Sequence, residues 1–227
     1  MGTSADTHHA CCLSVAMIVR DEQDVLASTL ESVQNIADEV VVLDTGSSDK
    51  TPEIAQQRGA RVIRFPWSHD FSAARNRCLE QVTGDWVLWL DAGERLEADA
   101  AARLRSFVNA GADPQKVYML MVENPPASPA ASAEQAARLR FMPRVAGLRF
   151  AGHVRETLRP SLEAAGMATE SFPARILCHP RRNDPQRKAR AARRNLELVA
   201  REKAASGHFA PRLLLVMGEA FGDLGDS

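Results

Sequence analysis

The first ninety residues alternate between short apolar runs and helix-spaced segments, and this constrains the fold more than any other feature. LSVAMIV (13–19), VVVL (40–43) and WVLWL (86–90) are apolar runs, as expected of buried strands, and RVIRF (61–65) gives a further strand. Between them, Val25, Leu26, Leu30, Val33 and Ile36 recur at helical spacing. Thr51-Pro52 opens a second helix that stops at Gly59, and a third is expected near 71–82. A β-α-β-α-β order with right-handed crossovers predicts an α/β, Rossmann-like fold, its central sheet mainly parallel and flanked by helices. Ligands of such sheets bind outside the carboxyl ends of the strands. Asp21-Glu22, Asp44 to Asp49 and Asp91 to Glu94 should therefore gather at one edge.

Beyond a helix at 98–109 the pattern changes. VYMLMV (117–122) and RLRFM (138–142) read as antiparallel strands separated by NPPASPAASAEQ, a Pro-, Ala- and Ser-rich stretch expected to be a mobile loop. RILC (175–178) is a further short strand. From Gln186 the chain turns helical and basic, and a last helix runs from about Pro211 to Phe221. The expected division is a lead-in at 1–11, one α/β domain at 12–182, and a helical tail at 183–227.

Composition excludes several function classes. At 227 residues and 45% hydrophobic, the chain can bury a core without metal or disulfide staples. Cys11, Cys12, Cys78 and Cys178 lack ligand-like spacing and read as reduced thiols. A net charge of −1 gives no general attraction to nucleic acid, and the basic run 181–194 has no interleaved aromatics. That run is a solvated helix face, or it attracts a diphosphate, an acidic acceptor or an anionic membrane surface. No stretch approaches the length of a membrane span and the start is no secretory signal, so a cytoplasmic protein is expected, with peripheral membrane contact left open.

Four stretches carry a family resemblance: MIVRDEQDVLASTLESV, VVVLDTGSSDKTPEIA, FSAARNRCLEQVTGDWVLWLDAGE and RFMPRVAGLRFAGHVRETL. In this order they resemble the family 2 inverting glycosyltransferases of GT-A fold, in the bacterial branch followed by tetratricopeptide-like helices. The resemblance implies a nucleotide-sugar donor, with UDP the expected carrier, and a hydroxyl acceptor that the sequence does not identify. It assigns Glu22, Asp44, Ser47, Asp49, Arg75 and Asp91 to the nucleotide sugar. Glu156 matches the family's base. Arg155 stands where the family has histidine, and His153 lies two positions earlier. Extended-chain alternation would turn Glu156 away from His153 unless the chain bends.

The family's fourth strand normally ends Asp-x-Asp, where this chain reads Asp91-Ala92-Gly93. The resemblance implies Mg²⁺ or Mn²⁺ held by Asp91 with Glu94 and His179. Glu94 either swings inward beside flexible Gly93 to share that ion, or caps the next helix and leaves the ion weak or absent. His179 either completes the ligand set or is a loop residue. The altered motifs motivate an alternative, a non-catalytic nucleotide-sugar-binding or scaffolding domain. A nucleotidyltransferase ranks lower, because VRDEQD after the first strand is no glycine-rich phosphate loop. The last helix resembles the start of a tetratricopeptide repeat, which needs neighbours to bury its face and leaves a homodimer open.

Overall fold

The computed structural model describes residues 11–126, 131–180 and 184–225. Residues 1–10 of the expected lead-in at 1–11, Arg181, Arg182 and residues 127–130 of the expected loop lie outside the described residues. Strands β1 (Leu13–Val19), β2 (Glu39–Asp44), β3 (Arg61–Arg64) and β4 (Trp86–Trp89) alternate with helices α1 (Leu26–Glu31), α2 (Thr51–Gln57) and α3 (Phe71–Leu79). Then come β5 (Glu94–Leu96), α4 (Ala98–Asn109), β6 (Lys116–Asn124), β7 (Glu134–Pro143), α5 (Arg159–Ala165) and β8 (Ala168–Cys178). Helices α6 (Pro185–Ser206) and α7 (Pro211–Leu224) complete the described chain.

These strands form one sheet in the order β3-β2-β1-β4-β7-β6-β8-β5. The first four are parallel, as expected. The chain leaves β1 toward β2 and β3 on one side and returns to β4 on the other, so the strand order reverses between β1 and β4. A crevice for ligands opens there. The remaining strands make the sheet mixed: β7 is antiparallel to β4 and β6, whereas β8 is parallel to β6.

Both faces of β1 are covered, which explains its unbroken apolar run. Leu13, Val15, Met17 and Val19 pack with Leu26, Leu30, Ala55 and Leu104 on one face. Ala16 packs on the other with Ala74 and Cys78 of α3. The small Ala74 brings α3 close enough for the Cys78 thiol to reach the Met17 carbonyl at 3.7 Å. A third cluster joins Val154 to Leu198, Val199, Leu213 and Val216, with Trp67 and Phe71 against it. The α6–α7 hairpin thus rests on the loop around Val154 and the start of α3.

Three departures from the sequence expectation bear on the site. Glu94 belongs to a short strand, pairing with Cys178 of β8, and does not cap α4. Strand β8 begins seven residues before the expected RILC segment. Residues 151–157 are not an extended strand: Gly152 and Arg155 have φ of 100° and 50°, and Ala151 bridges back to Thr157.

Candidate active site

The loops after β1 and β2 are laced together by side chains. Asp44 closes β2 with a buried carboxylate that accepts from the Ser47 amide at 3.1 Å and the Ser47 hydroxyl at 2.5 Å. Ser47 Oγ in turn accepts from the Asp21 amide at 2.9 Å, where the backbone takes a left-handed turn. Asp49 accepts from the Thr51 amide at 2.9 Å, the Thr51 hydroxyl at 2.5 Å and the Gln23 amide at 3.1 Å. Burial opposes its charge, yet these donors hold Asp49 below the usual carboxylate range. Ser47 and Asp49 therefore brace the loops after β1 and β2, and Asp44 sits at the strand end.

The centre of the edge is Arg75. Asp70 caps α3 by accepting from the Ala73 amide at 3.0 Å, which fixes the helix start. Arg75, one turn in, stacks its guanidinium over Trp89 at 4.9 Å and Phe150 at 5.3 Å. Its Nε donates to Glu156, and its Nη2 lies 3.6 Å from Asp91. Burial works against the charge, but Glu156 and Asp91 outweigh it and raise Arg75 above the ordinary guanidinium range. Three residues expected at the site, Arg75, Asp91 and Glu156, thus come together from three separate segments.

The bend at Gly152 and Arg155 resolves the alternation problem. Val154 turns into the apolar cluster of the helical hairpin, Glu156 turns to Arg75, and Arg155 turns outward to pair with Glu219 of α7. His153 points to neither metal nor base; its ring lies 3.9 Å from Asp70 and from Glu202. Gly152 is required here. A Cβ at this position would come within 2.6 Å of the Arg212 guanidinium, which is itself tied to Glu202.

Sequence reasoning missed the partner of the Asp91 and Glu94 carboxylates. Arg140 of β7 is buried, and its Nη2 donates to Asp91 at 2.9 Å and to Glu94 at 2.6 Å. Glu94 is fully buried, and its second oxygen accepts from the Asp91 amide at 2.9 Å. Burial disfavours the Arg140 charge, yet the two carboxylates push its pKa well above the guanidinium norm. The signal was available: Arg140 stands within the apolar end of β7, where a charge needs a partner.

This arrangement does not fit the expected cation. The carboxylate pair that was to hold Mg²⁺ or Mn²⁺ already holds a guanidinium. Gly93 supplies no donor, and His179 meets it through the backbone, its amide donating to the Gly93 carbonyl at 2.7 Å. Among the described residues, no group of three His, Cys, Asp or Glu side chains is placed to hold a metal ion.

The basic helix α6 contributes to the same edge. Arg187 donates to Glu22, whose amide is fixed by the Thr51 hydroxyl at 2.7 Å. Arg194 lies over Phe71 at 4.9 Å, close enough to Glu156, Arg187 and Arg20 for their charges to act on it. Partial desolvation beside Phe71, then the like charges of Arg187 and Arg20, lower its pKa from the ordinary value.

No described helix is long and apolar enough to cross a membrane. Comparison with known proteins agrees with the fold and the order of motifs. Residues 14–113 match the model of glycosyl transferase family 2. A TPR repeat-containing protein of Synechococcus elongatus is 51% identical over 94 residues, 41% of this chain and 23% of its own length. A glycosyltransferase of Rickettsia felis is 39% identical over 90 residues, 38% of this chain and 30% of its own. The chain thus matches about a quarter to a third of these relatives. The crystal structure of S. aureus TarS 1–349 superposes with a TM-score of 0.54 at 12% identity, covering 93% of this chain and 71% of that one, a likeness of fold. Residues 14–113 are thus similar to the glycosyl transferase family 2 domain, and the fold of the chain is like that of TarS.

Proposed function

We propose that the chain transfers a sugar from a nucleotide-sugar donor to an acceptor hydroxyl with inversion at the anomeric carbon. The observation that carries this reading is the convergence of Glu156, Arg75 and Asp91 at the crevice between β1 and β4. Asp44, at the end of the neighbouring strand, would receive the base or ribose, because a buried carboxylate there seeks donors. Glu156 would accept the acceptor's hydroxyl proton as its oxygen bonds to the anomeric carbon. The bond from that carbon to the diphosphate breaks, and its electron pair leaves with the diphosphate oxygen. The pairing of Glu156 with Arg75 supports this role by fixing the carboxylate in one orientation before substrate arrives.

TarS has been solved in complex with UDP, so UDP-linked donors are the first to try. The test is to incubate the 227-residue chain with a panel of UDP-sugars and simple hydroxyl acceptors, follow UDP release, and read the product anomer by NMR. Product of inverted configuration is expected. Tight donor binding with no turnover across the panel would reject the enzymatic reading.

A further inference from the structure

The site's charge balance suggests how the departing diphosphate is stabilised, a question that rests on the nucleotide-sugar reading above. A transferase of this kind must compensate charge that builds on the leaving group. Here the expected metal carboxylates are already neutralised from within the protein. One nitrogen of Arg140 bridges Asp91 and Glu94, and Glu94 has no exposure to solvent. A metal ion binding both carboxylates would have to displace that guanidinium and leave it buried without its counter-charges. Position 93 offers no replacement donor, and its φ of +86° is a backbone conformation that an L side chain rarely adopts.

Positive charge is instead supplied by arginines at the opening. Arg194 reaches over Phe71 from α6, and among the described residues no carboxylate lies within ion-pair distance of it. Its polar contact is with its neighbour, the Asn195 side-chain oxygen at 3.2 and 3.3 Å. Arg187, one face-repeat earlier on the same helix, is anchored by Glu22 just beyond β1. Arg20 follows β1 directly, its Nε 3.9 Å from the Asp21 carboxylate. Guanidinium groups set side by side repel one another, and a diphosphate entering among them relieves that repulsion through forked hydrogen bonds.

We propose that this site binds the donor's diphosphate, and stabilises it as it departs, through Arg194 and Arg187 with no divalent cation, Arg140 having taken the cation's place between Asp91 and Glu94. When the anomeric C–O bond breaks, the electron pair stays on the diphosphate oxygen, and the arginines take up its charge. The proton released by the acceptor goes to Glu156.

The test is calorimetry of UDP, GDP, ADP and uridine on the full chain in EDTA, in Mg²⁺ and in Mn²⁺. A nucleoside diphosphate is expected to bind with the same Kd in all three buffers, within about twofold. Arg194→Gln should weaken that binding about tenfold or more, while uridine binding stays unchanged. Arg194→Lys, which keeps the charge without the fork, should fall between. Because Arg194 is exposed on α6, an unchanged melting curve should accompany both variants. A diphosphate that binds about tenfold tighter with Mn²⁺ or Mg²⁺ than in EDTA overturns the proposal and leaves the transferase reading standing. Wild-type affinity in Arg194→Gln also overturns it. Absence of nucleotide binding in every buffer removes both.

Discussion

Arg75 donates to Glu156 across eighty-one residues of sequence, and this one contact joins the start of α3 to the bent loop on which α7 rests. Glu156 is therefore positioned by the domain on one side and by the helical hairpin on the other. Replacing Glu156 with glutamine should keep the Arg75 contact, through the amide oxygen, while removing the proton acceptor. Expected are unchanged UDP affinity and a fall in turnover of about 10²–10⁴-fold, read by UDP release. Turnover within a few-fold of wild type would remove Glu156 from the chemistry.

The hairpin's support of that loop can be tested away from the site. Leu213 of α7 is buried against Val154, two residues before Glu156. Leu213→Ala should cost about 2–5 kcal/mol in urea melts, as large-to-small core changes do. At a temperature where the variant stays folded, kcat should fall with KM for the donor little changed, because the loop and not the nucleotide pocket loosens. An equal loss in KM would place the hairpin's influence elsewhere.

Arg140 offers a stability test with a built-in control. Arg140→Met leaves Glu94 buried without its guanidinium and should cost about 3–5 kcal/mol by chemical denaturation. Changing Glu94 to methionine as well removes the stranded charge, so the double variant should regain much of that loss. Additive losses in the double variant would show that the pair contributes little as a pair.

Acid stability should be set partly at the opposite edge of the sheet. Burial opposes the charges of Asp38 and Glu39, but the donors around them win and lower both pKa values. Asp38 accepts from the Leu13 amide and Arg105, Glu39 from Ser14, Thr83 and Arg61. A carboxylate depressed on folding stabilises the native state above its unfolded pKa and loses that contribution as pH falls through the folded value. Melting temperature should thus drop as the pH is lowered below the ordinary carboxylate range. Asp38→Asn or Glu39→Gln should lower it at neutral pH and flatten the acid slope.

The cysteines give a simple check on the packing of α3. Burial pushes the Cys78 thiol up to about 12, whereas Cys12 is exposed. A thiol reagent near pH 8 should label Cys12 quickly and Cys78 only after denaturant is added. Mass spectrometry of the labelled peptides reads the result, and native labelling of Cys78 would mean that α3 lifts from the sheet.

The parallel half of the fold was readable because β1 and β4, buried on both faces, are unbroken apolar runs, and polar turns follow the strands. Strand β5 was not, since Glu94–Leu96 is three residues long and carries two charges. Strand β8 was half hidden because its first residues, Ala168 to Ser171, are exposed and polar. At the site, Arg75, Asp91 and Glu156 could be named because the stretches that carry them resemble those of the family 2 glycosyltransferases. Arg140 escaped notice because charge pairing within a sheet depends on which strands become neighbours, and β4–β7 adjacency is not encoded in local pattern. Arg194 was hidden in a basic run whose solvated and inward-facing members look alike until the helix is docked.

Gly93 sits at φ +86°, between the strand end and the carbonyl contact with His179. An L-residue there would carry a backbone penalty of about 1–2 kcal/mol before its side chain met Val25 and His179. The turn therefore works as a ratchet on the site's chemistry. A second carboxylate placed at this position by one substitution would have to hold the left-handed turn at that cost. An engineer seeking to make this domain respond to a metal ion should begin with the turn's geometry and only afterwards choose the ligand.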